Sequence, residues 1–404
     1  MSLFDPARRL WRSLAPPGLR MGAQPLLAGL LEAQVRKAAE APHEAEAWRG
    51  PVRVVGWFEA SHGIAASARQ AARAFEALGV PVERVDVTGA RLDWLPPPQP
   101  ALRSGPWIFH LNPPEMLAAL AQLDPRRLRG PRYGYWAWEL PAAPPSWLKD
   151  SGLVEEIWAP SHYTAEAFAH AGAPVRVVPH PFFLEDYRDV APAPRAAGFL
   201  AVGLFDFNSS MARKNPDGTI AAFAKAFGED PTAQLILKTQ NGARFPEALA
   251  ALRASAPANV TIEDGVWPYA RVKSLIAAAD VLISLHRAEG FGLTPAEAMA
   301  LGAPAVATAW SGNLDFMDET CALMIPATQT AVEDPQGIYR GQTWAEPDLE
   351  AAAEALRRLR LKPELGRRLA EAGRRRIAER LSPQAWFATL PDAVQQAALA
   401  AKRG

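Results

Sequence analysis

Two glutamates, Glu289 and Glu297, lie in SLHRAEGFGLTPAEAMALGAP, residues Ser284 to Pro304. The apolar run VLISLH (281–286) reads as a buried strand, RAEGFG as a loop and TPAEAMAL as a helix. Thr294 suits an N-cap, Pro295 the first helical position and Gly302 the helix stop. Thr294-x-x-Glu297 spells a capping box, in which Glu297 would only bond the backbone of its own helix. Glu289 has no such local use. It follows a strand, and Gly290 and Gly292 let the backbone approach a ligand closely. The helix start beyond offers free N–H groups suited to phosphate. A carboxylate repels phosphate, so Glu289 is better fitted to accept hydrogen bonds from neutral hydroxyls. A sugar supplies such hydroxyls, and so does a ribose. A nucleotide sugar carries both, joined by a diphosphate.

The elements that must position these residues alternate along the chain. From Val52, strand and helix patterns follow one another: VRVVGWF (52–58), helix 64–78, VERVDV (82–87), WIFHL (107–111), helix 116–123, RYGYWAW (132–138), EEIWAPS (155–161), helix 164–172 and VRVVPHP (175–181). APAPRAAG (191–198) is short of large apolar groups and reads as a linker. A second set follows: FLAVGLFD (199–206), helix 216–227, QLILKT (234–239), helix 246–255, VTIEDG (260–265), helix 269–279, VLISLH, helix 295–301 and PAVATA (304–309). From Asp348 the pattern is almost wholly helical. Two consecutive α/β domains with parallel sheets are therefore expected, with ligands at the carboxyl ends of the strands and in the cleft between them. The divisions are 1–50, a helical N-terminal extension; 51–190 and 191–380, the two domains; and 381–404, a helical tail.

Bulk properties exclude several alternatives. The 404 residues carry 43 basic and 43 acidic side chains, so nothing global attracts nucleic acid. One cysteine, Cys321, permits no internal disulfide, and a reducing compartment fits. No cluster has metal-ligand spacing. No stretch approaches the ~20 apolar residues of a membrane span. LFDPARRLWRSL (3–14) sets Leu3, Leu10, Trp11 and Leu14 near three arginines, a pattern that suits either a helix at an anionic membrane surface or one packed on its own protein.

Glu289-GFGLTPA-Glu297, followed by AMALGAP, resembles the donor-site signature of retaining glycosyltransferases of the GT-B fold, the large E-x7-E family (group 1, family 4). The resemblance covers about residues 50–390, most specifically 200–316. It implies two Rossmann-like domains facing a central cleft, the first for the acceptor and the second for the nucleotide-sugar donor. It assigns the donor sugar to Glu289, the ribose to Glu297 and the donor contacts to Gly290, Phe291, Gly292, Leu293 and Thr294. The family's basic pair, which neutralises the diphosphate, falls on Arg213 and Lys214 in AVGLFDFNSSMARKNP. Fixed cations there would stabilise the leaving group. A further family arginine is replaced by Leu204, with Lys238 a possible substitute. Gly63 resembles the first-domain glycine loop, and Ser311, Gly312 and Asn313 would line the same cleft. Relatives place a histidine near the reacting centre; GYWAWELP offers Glu139 instead, and His110 is the nearest histidine. His286 and Arg287 would face the site from the strand. Trp136 and Trp138 suit either a sugar platform or the core.

The expected function is transfer of a sugar, mannose-type by resemblance, from a GDP- or UDP-linked donor to a glycan or lipid-linked acceptor in bacterial surface polysaccharide synthesis. Retention by front-face attack is expected, with no cofactor and no metal, in the cytoplasm and with a possible peripheral contact to the inner membrane. A GT-B epimerase, a phosphorylase and a catalytically weak scaffold of a polysaccharide assembly complex are the alternatives.

Overall fold

The computed structural model describes residues 29, 30, 32–39, 51–60, 63–90, 104–335, 337 and 339–403. The basic segment 3–14 lies outside them, as do Ser61 and His62.

The first sheet contains β1 (Val52–Gly56), β2 (Val82–Asp86), β3 (Trp107–Phe109), β4 (Arg132–Tyr135), β5 (Glu156–Ala159) and β6 (Val175–Val177). All pairings are parallel and the order is β2-β1-β3-β4-β5-β6. The second contains β7 (Phe199–Asp206), β8 (Ala233–Gln240), β9 (Val260–Asp264), β10 (Val281–Ser284), β11 (Ala305–Thr308) and β12 (Leu323–Ile325), ordered β12-β11-β10-β7-β8-β9 and again parallel. The central strands read as unbroken apolar runs because helices cover both faces. Each sheet has one place where the chain leaves a strand in one direction and later returns on its other side. In the first sheet this switch point lies between β1 and β3, in the second between β7 and β10. Crevices at such points are where open parallel sheets bind ligands.

Several strands end earlier than the apolar runs suggested. WIFHL, RYGYWAW and VLISLH are strand only to Phe109, Tyr135 and Ser284. The remaining residues form the carboxyl-edge loops, where hydrophobic burial continues after the ladder stops. Helix Gly63–Ala77 packs Ala65, Ala68, Ala71, Ala72 and Phe75 inward. It lies so close to β1 that a Cβ on Gly56 would stand 2.8 Å from the Ala68 methyl. Phe75 meets Trp386 edge-on at 4.9 Å, and Val394 and Ala398 join the same core cluster, so the last helices lie on the first domain.

One element was not legible in the pattern. β13 (Ala327–Ala331) and β14 (Thr343–Pro347) form an antiparallel hairpin of the second domain. Its Tyr339 and Trp344 are buried in the core cluster of the first domain. No helix among the described residues is long and apolar enough to cross a membrane.

Candidate active site

The switch point of the second sheet collects the charged residues. After β7 the chain makes a short turn, Ser210 adopts φ +61° and its Oγ caps helix Met211–Lys214 by accepting from Arg213 N. Asn215, also left-handed, caps the following helix Pro216–Phe227 and donates to the Leu285 carbonyl (2.9 Å), fixing this turn to the end of β10. Arg213 and Lys214 thus come under the loop after β10.

There Glu289 is buried between them. Arg213 Nη1 donates to Glu289 Oε2 at 3.2 Å and to the Ala288 carbonyl at 2.8 Å, while Lys214 Nζ donates to Glu289 Oε1. Burial alone would raise the Glu289 carboxyl, but Lys214 and Arg213 outweigh it and hold the group down at about 2. Burial pushes the Lys214 ammonium down, against the pull of Glu289. Glu139 of the first domain completes the cluster: its Oε1 lies 3.9 Å from Arg213 Nη2, and its Oε2 accepts from Tyr339 Oη at 3.2 Å. Tyr339 carries no sequence signal of its own; only the hairpin's excursion brings it here.

The loop holding Glu289 is fixed from behind. Ser311, at φ +76°, accepts from Glu289 N (2.9 Å), and Gly312 N donates to the Glu289 carbonyl (2.9 Å). A Cβ on Gly312 would stand 2.3 Å from the Gly290 carbonyl oxygen, so only glycine fits. The first domain grips the same loop: Ser161 Oγ and Thr164 Oγ1 donate to the Gly290 carbonyl at 2.6 and 3.0 Å. Phe291 is buried between Phe316 and His180. Gly63 lies opposite, where an added Cβ would touch Leu293 Cδ1 at 3.6 Å.

Several expected contacts are not made. The helix after the loop begins at Leu293 with Gly292 as its left-handed cap, so Thr294 is already inside it and the capping box does not form. Glu297 instead accepts from Tyr269 Oη at 2.5 Å, and burial lifts its carboxyl to about 7. Lys238 does not join Arg213 and Lys214. It donates to the Thr239 and Gly265 carbonyls and lies over the Trp267 ring, tying down the loop after β9. Arg287 turns away to the hairpin, pairing with Glu346 at 2.5 Å and donating to the Ala212 carbonyl. His286 is wholly buried against Ser284 Oγ and Asn313 Oδ1 (3.1 Å each), and Asn313 donates to the Thr308 carbonyl; both support the loop rather than line a cleft. His110 is enclosed too, bonded to Ser67 Oγ (2.9 Å) and stacked on Tyr135. Burial lowers its imidazole to about 3. Trp136 and Trp138 belong to the core. Of the two first-domain candidates, the structure brings Glu139 to the cluster, while His110, directly after β3, is taken up by Ser67 and Tyr135.

Residues 208–376 match the family profile described as "Glycosyl transferases group 1". No curated protein matches the chain in sequence. Among solved structures, the chain is similar to sucrose-phosphate synthase from Thermosynechococcus elongatus (17% identity, TM-score 0.61, 87% of this chain and 98% of that one). It is also similar to HepE of Anabaena, solved with UDP and glucose (14% identity, TM-score 0.59, 86% and 97%). It matches S. aureus TarM, solved with fondaparinux, alpha-GlcNAc-glycerol and UDP, at 10% identity and TM-score 0.50. That match covers 70% of this chain and spans only 54% of the TarM chain.

Proposed function

We propose that this chain, whose residues 208–376 match the group 1 glycosyl transferases and whose two parallel sheets have the GT-B arrangement, moves a sugar with retention from a nucleoside diphosphate donor to a glycan or lipid-linked glycan. The observation that carries this reading is the Glu289 carboxylate held between Arg213 and Lys214 at the β7/β10 switch point, with Glu139 of the first domain 3.9 Å from Arg213. Two cations suit a diphosphate and a fixed carboxylate suits sugar hydroxyls. Glu297, one turn into the helix after the loop, suits the ribose.

In the proposed reaction the acceptor oxygen attacks the anomeric carbon on the face the diphosphate leaves. The C–O bond to the donor breaks, the new glycosidic bond forms, and the acceptor proton passes to the departing phosphate oxygen. Arg213 and Lys214 stabilise the charge that develops there, and the closed loops hold both partners in reach. UDP, present in the HepE and TarM structures, and GDP, expected from the sequence, are the bases to test first. A mannose-type sugar, a surface polysaccharide product and a cytoplasmic site of action at the inner membrane face complete the proposal.

Isothermal titration with UDP, GDP, ADP and the matching nucleosides tests it. Micromolar binding of one diphosphate, with its nucleoside at least tenfold weaker, is expected. Absence of binding by every diphosphate would leave a scaffold and remove the enzyme reading.

A further inference from the structure

The ion pair that joins the two domains at the cluster does not by itself fix their register. Glu139 Oε1 stands 3.9 Å from Arg213 Nη2, beyond hydrogen-bond reach. Coulomb attraction at that range changes slowly with distance, so it tolerates a small slip. The backbones beneath the two carboxylates are held more tightly. Trp138, the residue before Glu139, and Gly290, the residue after Glu289, turn their carbonyl oxygens to one hydroxyl. That hydroxyl is Thr164 Oγ1, 2.8 Å from the Trp138 oxygen and 3.0 Å from the Gly290 oxygen. Ser161 Oγ donates to the same Gly290 carbonyl at 2.6 Å and accepts from Thr164 N at 3.1 Å. At the rim of this seam His162 N donates to Asp315 Oδ2 at 2.9 Å.

Ser161 and Thr164 are wholly buried. Their hydroxyls and the Gly290 carbonyl satisfy one another only while the domains are docked, and a slip that parts them leaves buried polar atoms unpaired. Gly290 owes its identity to the same contact. An added Cβ would stand 3.0 Å from the Trp138 carbonyl oxygen and 3.5 Å from Thr164 Oγ1. Gly292 is required by its left-handed backbone (φ +97°), Gly290 by the close approach of the first domain. From the second domain, Ser311 and Gly312 hold the Glu289 N–H and carbonyl. The Glu289–Gly290 segment is thus gripped from both sides.

Arg213 and Lys214 both lie on the second domain, so they keep their places if the clasp fails. The reacting atoms would lie between the domains, where a misplacement of about 1 Å can cost ~10²-fold in rate. Resting on the donor assignment above, we infer that Ser161 and Thr164 are positioning residues, which set Glu139 of one domain against Glu289 of the other and so govern how fast the bound donor reacts rather than how tightly its diphosphate is held.

Three variants of the full-length chain test this. Thr164→Val keeps the shape and removes the hydroxyl, Thr164→Ser keeps the hydroxyl, and Gly290→Ala wedges a methyl group against the Trp138 carbonyl without removing any hydrogen-bonding group. The readouts are diphosphate release from the nucleotide sugar that binds best, diphosphate affinity by titration, and hydrogen exchange by mass spectrometry. Thr164→Val and Gly290→Ala should lower kcat roughly tenfold to a hundredfold while UDP or GDP affinity stays within about twofold. Thr164→Ser should return kcat to within about threefold of the parent. Exchange should rise over 134–141 and 286–293 in the first two variants and stay unchanged in helix Pro216–Phe227. A general loss of stability would raise all three segments and would count against the inference. Parent-like kcat or parent-like exchange in Thr164→Val, a Thr164→Ser variant no better than Thr164→Val, or a matching loss of diphosphate affinity would overturn it. A parent that neither binds a diphosphate nor releases one would instead remove the donor assignment, and the exchange pattern would still decide whether the two hydroxyls register the domains.

Discussion

Replacing Glu289 by glutamine keeps the size of the side chain and removes its charge from between two buried cations. The carboxyl is drawn from 4.5 to about 2 in the folded chain. A shift of that size corresponds to about 3 kcal/mol, at ~1.4 kcal/mol per pH unit. The sign follows from linkage. A folded pKa below the unfolded one stabilises the native state above pH 4.5 and loses that contribution as pH falls through about 2. At neutral pH the whole contribution is present, and the variant forfeits it. Breaking a buried ion pair by removing one member costs roughly 3–5 kcal/mol, in agreement. For a domain of 150–250 residues, each kcal/mol moves the midpoint by roughly 2–4 °C, so differential scanning calorimetry should show a fall of about 6–12 °C. The second half of the prediction has the opposite sign. With Glu289 neutral, Arg213 and Lys214 are free to serve a diphosphate, so saturating UDP or GDP should raise the midpoint of the variant by more than that of the parent. Transfer should nevertheless be lost. A variant as stable as the parent, or one that the diphosphate protects less, would refute the reasoning that Glu289 is the resident counter-ion of these two cations.

Lys214→Ala should weaken nucleoside diphosphate binding at least tenfold in titration while nucleoside binding changes little; equal losses would remove Lys214 from the phosphate. With its carboxyl raised to about 7, Glu297 should ionise as pH rises from 6 to 8, so that nucleotide affinity increases over that window and flattens in Glu297→Gln. The Tyr269 hydrogen bond lowers this carboxyl, so Tyr269→Phe should move the midpoint of the same pH curve upward. Tyr339→Phe removes the 3.2 Å bond to Glu139 and should cost roughly 0.5–1.5 kcal/mol in thermal unfolding and several-fold in kcat/KM for transfer. An unchanged kcat/KM would make Tyr339 a packing residue only.

The parallel sheets could be read because their strands are buried on both faces and so stand out as apolar runs between helical periods. The segment EGFGLTPAE could be read because glycines beside a carboxylate at a strand end have few structural uses. Most of what failed depends on contacts distant in the chain. Lys238 looks like a free cation at a strand end, yet the Gly265 carbonyl after the next strand captures it. Arg287 stands two residues from Glu289, yet Glu346 of the hairpin turns it aside. Thr294 and Glu297 match a local capping rule, yet Gly292 starts the helix earlier and Tyr269 takes the carboxylate. The hairpin itself was invisible: β13 is largely exposed and polar, and the buried aromatics Tyr339 and Trp344 stand outside any strand-like alternation of apolar residues.

Through Tyr339 and Glu139 the same hairpin reaches the cluster, in which Glu289 is structural and, on the proposed function, would also be chemical. In the structure two anions, Glu139 and Glu289, face two cations, Arg213 and Lys214, and the cluster is balanced without any ligand. A diphosphate brings roughly two further negative charges, which such a set accepts only if its own carboxylates find other partners. Tyr339 already offers one to Glu139. The hydroxyls of the donor sugar would offer them to Glu289, so that the donor is held well only when sugar and diphosphate arrive on the same molecule. On the proposed function, a free diphosphate would compete with Glu289 for the cations, whereas the intact donor would satisfy both, and the cluster would thereby favour the donor over the released diphosphate.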